Sequence, residues 1–231
     1  MELQQKLELV FDVDAVLRGQ GADASILRAR RPRLVKIAEQ ARQESFSLLH
    51  PKVVYKTFEI EGVQHECLLL HDGHKMVSKL VTQQLASARW VIVILATIGM
   101  ELEEHVTRTW DTDTVYSLAL DGAGSAAVEA LANAACQYFE KKAFTEGYQA
   151  SIPLSPGMVD WPVSDGQPQI FQLLGEVENS VHLTPSCIMV PKKSLTMVLG
   201  IGAELKSNGN TCDYCAMKAT CQYQQQYRST R

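Results

Sequence analysis

Three cysteines lie together near the end of the sequence, Cys212, Cys215 and Cys221, in the run Thr-Cys-Asp-Tyr-Cys-Ala-Met-Lys-Ala-Thr-Cys. Two thiolates separated by two residues can reach one metal from a single turn, and a third six positions on can close the other side. Polarizable thiolates select zinc, copper(I) or iron–sulfur clusters. A structural zinc site normally shows four ligands in sequence pairs. Only three cluster here, so an iron–sulfur cluster is the expected cofactor and zinc the alternative. The remaining position falls to Cys187, a histidine, solvent or a partner. Cys67 and Cys136 lie in apolar surroundings away from the group. Bunched cysteines in a reducing compartment point to metal rather than disulfides.

Other candidate chemistry is sparser. Gly122-Ala-Gly124 before an alanine-rich stretch resembles part of a phosphate-binding turn. It lacks the third glycine, and tight entry into a packed helix is the favoured reading. Arg18-Gly-Gln-Gly-Ala-Asp23 could form an anion nest, or a glycine turn with Asp23 as a helix cap. Arg28, Arg30, Arg31 and Arg33 make a short basic run that is either a solvated face or a surface steering an acidic partner or phosphate. His71 and His74 are three apart, with no metal-protease pairing. There is no Gly-x-Ser-x-Gly elbow and no Walker A pattern. A self-contained hydrolase or kinase is not supported.

The elements that must hold these residues read as mixed helix and strand. Residues 7–16 alternate apolar and polar and predict a half-buried strand. A helix is expected from Asp23 or Ser25 onward, interrupted or delayed at Pro32. Residues 52–70 predict a hairpin turning at Glu61-Gly62, and 74–88 an amphipathic segment. Residues 90–98 predict a buried strand followed by an acidic helix start. The alanine-rich 125–144 predicts a packed helix ended by Gly147. Residues 155–168 hold three prolines and two glycines and predict an irregular loop. A short helix at 169–177 and a second hairpin, 182–189 with 195–201, complete the body. The expected class is α+β, with the body at 1–205 and a cysteine-rich metal-binding tail at 206–231.

Bulk properties limit the function classes. The chain has 231 residues, 46% hydrophobic and 21% charged, an ordinary globular balance that argues against global disorder. Its 22 Lys and Arg against 26 Asp and Glu give a net charge of −4, unsuited to general nucleic-acid binding. The longest apolar run, 90–100, is too short for a membrane span, and no secretory signal opens the sequence. A cytoplasmic location is the expectation.

Residues 152–202 resemble the activation domain of cobalamin-dependent methionine synthase. The carriers are Ser155-Pro156-Gly157-Met158, Asp160-Trp161-Pro162, the helix Ile170-Phe171-Gln172-Leu173-Leu174, Leu183-Thr184-Pro185-Ser186, Pro191 and Ser194. Upstream, Val16-Leu17-Arg18-Gly19-Gln20-Gly21, Leu95-Ala96-Thr97-Ile98-Gly99 and Leu120-Asp121-Gly122-Ala123-Gly124-Ser125 are similar to small stand-alone relatives of that domain. The resemblance implies a twisted antiparallel sheet with flanking helices. It also implies a role: docking on the corrinoid module of a methyltransferase whose cobalt has stalled in the divalent state, and binding S-adenosylmethionine for its reductive reactivation. Cobalamin would arrive with that partner, and the electron from a flavodoxin- or ferredoxin-type reductant. Gly157, Met158, Asp160, Trp161, Pro162 and Arg18 are the expected ligand-binding residues. The family loop reads Arg-x-x-x-Gly-Tyr-x-x-x-Pro; here the arginine position is Pro153 and the tyrosine position Met158. Loss of an arginine fork removes a charge-assisted contact of about 1.5–3 kcal/mol, or roughly tenfold to hundredfold in affinity. The alternative role is a non-catalytic corrinoid-protein interaction module with a zinc-stapled tail.

Overall fold

A computed structural model of the chain describes residues 1–3, 7–175, 181–205, 210–216 and 218–219. Its first helix begins inside the segment whose alternation predicted a strand. Asp12 accepts the Ala15 N–H at 2.8 Å and caps α1 (Val13–Gly19). Val13, Val16 and Leu17 then fall at helical spacing and are buried. Three apolar groups on one helical face outweigh a short alternating run. Asp23 caps α2 (Ala24–Arg30) through the Ser25 and Ile26 N–H groups. Pro32 opens α3 (Pro32–Ser45) at a position where its missing N–H costs nothing. The expected interruption at Pro32 is therefore present.

β1 (Lys52–Gln64) and β2 (Cys67–Leu70) form the first hairpin. The turn lies at His65-Glu66 rather than at Glu61-Gly62, where the register shifts instead. The amphipathic segment divides into β3 (Lys75–Val77) and α4 (Lys79–Leu85). β4 (Trp90–Thr97) is buried along almost its whole length and leads into α5 (Glu101–Thr109), whose first turn holds three glutamates. The alanine-rich helix starts earlier than expected, at a cap provided by Asp113. It runs as α6 (Thr114–Thr145) for 32 residues. β5 (Gln149–Ala150), α7 (Val163–Leu174), β6 (His182–Leu183), β7 (Met189–Val190) and β8 (Ser194–Gly202) follow.

The sheet order is β3-β2-β1-β4-β8-β5, with every neighbouring pair antiparallel. The fold is α+β, a curled antiparallel sheet with flanking helices, as expected. The second hairpin is not: β6 pairs with β7 in a separate ladder, and β8 pairs with β4 and β5. The reason is burial. Residues 196–202 are buried on both faces and take a central position that a surface hairpin could not give them.

Strand alternation divides the interior into two cores. Ile92, Ile94 and Ala96 face α1, α3 and α6. Val91 and Val93 face the opposite way, toward α4, α7 and residues 152–161. Gly122-Ala-Gly124 lies within α6 and forms no phosphate turn. A Cβ on Gly122 would stand 2.6 Å from the Val16 carbonyl oxygen, and one on Gly19 2.4 Å from the Gly122 oxygen. These two glycines let α1 and α6 cross backbone to backbone.

Two of the three upstream segments that carry the family resemblance, 95–99 and 120–125, meet at Lys193. Its Nζ lies 2.9 Å from Asp121 Oδ1 and donates to Ser125 Oγ at 2.9 Å. Its carbonyl accepts the Ile98 N–H at 3.2 Å, and Ser194 Oγ donates to Thr97 Oγ1 at 2.8 Å. Among the described residues no helix is long and apolar enough to cross a membrane.

Candidate ligand loop and cysteine tail

Residues 155–162 form a loop closed by its own backbone. Gly157 donates to the Trp161 carbonyl at 2.8 Å, and Trp161 donates to Met158 at 3.1 Å. Gly157 has a φ of +99° and Asp160 of +59°, in the left-handed region that glycine and aspartate tolerate best. Trp161 is fully buried and anchors the loop in the second core beside Met158, Ile170 and Leu173. Its indole N–H has no hydrogen-bond partner among the described residues. The Asp160 carboxylate is half exposed and lies 3.7 Å from Lys79 Nζ, while its carbonyl accepts from Ser78 Oγ at 3.3 Å.

Pro162 ends the loop and α7 begins directly after it. The irregular stretch is thus shorter than the sequence suggested, since 163–168 are helical. Pro168 inside this helix has no N–H to offer the Ser164 carbonyl four residues back. The Cys187 thiol lies 3.9 Å from that carbonyl and partly fills the gap.

The tail returns to this loop. Asn210 and Asp213 form a reciprocal cap on the 3-10 turn Thr211–Tyr214. The Tyr214 carbonyl accepts the Val159 N–H at 2.9 Å, its hydroxyl accepts from Gln84 Nε2 on α4 at 3.1 Å, and Cys215 bridges Met158. Cys215 N approaches the Cys212 carbonyl at 3.4 Å, so both cysteines belong to one turn. Gly157, Met158, Asp160, Trp161, Pro162, Cys212 and Cys215 therefore occupy one region. Cys221 lies outside the described residues.

Arg18 is not brought to this region. It sits on α1, whose buried side chains belong to the opposite core, and its guanidinium is 3.8 Å from Asp12. Among the described residues no three Cys, His, Asp or Glu side chains converge as a metal site. Cys187 therefore does not join Cys212 and Cys215 in such a group. Burial pushes the Cys136 thiol up to about 12, so it remains protonated and unreactive. His71 bonds Glu61 at 2.9 Å, which raises its pKa, and His74 packs edge-on against Phe58. The pair is used locally. Arg28 pairs with Asp14 at 2.5 Å, while Arg30, Arg31 and Arg33 are exposed.

Sequence reasoning missed Tyr214, Gln84 and Lys79. Tyr214 carried the one readable signal, an aromatic residue placed between two candidate ligands.

No protein-family model matches the chain. No curated protein matches it. A solved structure does, described as a crystal structure of the MetH reactivation domain bound to AdoHcy. The TM-score is 0.62 at 17% identity, over 89% of this chain and 79% of that one. The fold is that of the MetH reactivation domain. At this identity the likeness is one of backbone architecture, and it agrees with the curled antiparallel sheet and flanking helices.

Proposed function

We propose that the chain is an accessory module for reductive reactivation of a cobalamin-dependent methyltransferase. In this reading the face around Gly157–Pro162 docks on the corrinoid module of the partner. Reactivation needs one electron delivered to cobalt and a methyl group from S-adenosylmethionine, which leaves as S-adenosylhomocysteine. The observation that carries the reading is the placement of the Cys212–Cys215 turn directly against the Gly157–Trp161 loop, within a fold like the MetH reactivation domain.

The residues present fit an S-adenosylmethionine-like ligand only in part. The Asp160 carboxylate can receive a cationic or hydroxyl group, and Lys79 beside it offers a positive charge. Pro153 has neither charge nor donor, so a carboxylate loses its bidentate partner. Wild-type binding should therefore be weak. A Pro153→Arg variant is expected to bind S-adenosylhomocysteine about tenfold to hundredfold more tightly by calorimetry. Unchanged affinity in a folded variant would mean that the ligand does not use this loop.

Cys212, Cys215 and Cys221 are the proposed thiolates of the tail. An iron–sulfur cluster held there would supply a one-electron relay between a flavodoxin- or ferredoxin-type reductant and the partner's cobalt. The alternative is a non-catalytic docking module with a zinc staple. The close packing of Tyr214 on Val159 and Gln84 favours it, because a staple needs a tail fixed to the body. Anaerobic purification followed by iron, sulfide and zinc determination separates the two. Iron with labile sulfide, lost in Cys215→Ser, is the relay outcome. One zinc per chain with no redox response is the staple outcome, and a metal-free tail after reconstitution contradicts both.

A further inference from the structure

On the other face of the sheet, where α6 ends over β1 and β4, lies an open cavity of about 190 Å³. We propose that it binds a free α-amino acid with an apolar side chain. This site shares no residue with the Gly157–Pro162 loop and does not rest on the reading above.

The walls are aromatic and held in place. Tyr55 packs against Phe139 with centroids 4.9 Å apart. Trp90 carries the Arg89 guanidinium over one face at 4.4 Å and the Tyr148 ring edge-on at 5.0 Å. Ile92 lines the buried end. Walls fixed by their own packing lose little entropy when a ligand enters. The volume is below the roughly 300–1,000 Å³ of drug-sized sites and suits one apolar side chain.

The rim carries two opposite charges. Lys142 and Glu146 both line the cavity, both are exposed, and neither side chain makes an ion pair or hydrogen bond within the described residues. They stand four positions apart at the C-terminal end of α6 in the lysine-first order, which is the less favourable one for pairing with each other. Glu146 is also the C-cap of α6, where the negative end of the helix dipole favours an ammonium. A zwitterion satisfies both: its carboxylate meets Lys142, its ammonium meets Glu146, and its side chain enters between Tyr55, Phe139 and Trp90.

The test is calorimetric titration of the full chain with L-leucine and L-methionine. Isoamylamine and 4-methylpentanoate serve as probes lacking one charge each. Leucine should bind saturably in the millimolar range, and each single-charge probe about fivefold more weakly, as expected of rim charges. Glu146→Lys should weaken leucine and strengthen 4-methylpentanoate, an exchange of preference that a structural role for Glu146 would not produce. Glu146 is exposed, and an unchanged melting temperature would show that the fold persists. The absence of saturable heat from either amino acid at about 20 mM overturns the proposal. So does equal binding of leucine and isoamylamine.

Discussion

Trp161→Ala is expected to lower unfolding free energy by about 3–5 kcal/mol, the range for removing a fully buried aromatic ring. Trp161 is the largest of the fully buried side chains, and it ties the Gly157–Trp161 loop to α7 and the second core. For a chain of this length the loss corresponds to roughly 6–20 °C in melting temperature. Trp161→Phe should cost distinctly less. It keeps most of the ring volume and removes an indole N–H that is buried without a partner, a group whose burial itself costs about 1–3 kcal/mol. The same loop holds the tail through the Val159 N–H and the Tyr214 carbonyl, so proteolysis between 210 and 215 should accelerate in the alanine variant. Urea denaturation of the three proteins measures the difference. Equal losses for Ala and Phe would mean that the indole N–H is satisfied in solution.

Gly122→Ala should destabilise by about 3 kcal/mol, the upper part of the range for overpacking. Alanine is ordinarily the better helix former by about 1 kcal/mol, so the sign is reversed by the crossing with α1. The added methyl would meet the Val16 carbonyl oxygen at 2.6 Å, and a helix backbone cannot rotate away as a side chain can. Gly62→Ala is the control. It has open space around its Cβ position, and its effect should be near zero in the same denaturation assay. A neutral or stabilising Gly122→Ala would show that α1 and α6 stand further apart than described.

Much of the fold could be read locally. The continuous apolar run Trp90–Thr97 became the central strand, the alanine-rich segment became α6, and Asp23 and Pro32 marked the helix boundaries they suggested. Residues 7–16 misled because two patterns overlap there. The alternation is short, while the Asp12 cap and the spacing of Val13, Val16 and Leu17 persist into the true helix. The role of Gly122 was hidden because its partner, Val16, lies more than a hundred positions away. Of the candidate site, the sequence named the loop residues that lie together but not their neighbours. Arg18 looked like a ligand contact because a glycine turn follows it, yet only tertiary packing decides which sheet face a helix covers. Tyr214 was passed over because its contacts, Val159 and Gln84, come from distant segments. The motif pieces around Asp121, Ser125, Pro191 and Ser194 did converge, through Lys193, which no local pattern singled out.

The most direct measurement follows the partner's cobalt. A corrinoid methyltransferase poised with divalent cobalt is mixed anaerobically with a flavodoxin-type reductant and S-adenosylmethionine, and the paramagnetic signal of the cobalt is recorded over time. With a stoichiometric amount of this chain the signal should decay at least about tenfold faster, equivalent to about 1.4 kcal/mol off the barrier. Cys215→Ser should remove that gain while leaving the chain folded. Decay at the same rate with and without the wild-type chain, under conditions where the methyltransferase's own reactivating domain is absent, would contradict the assignment.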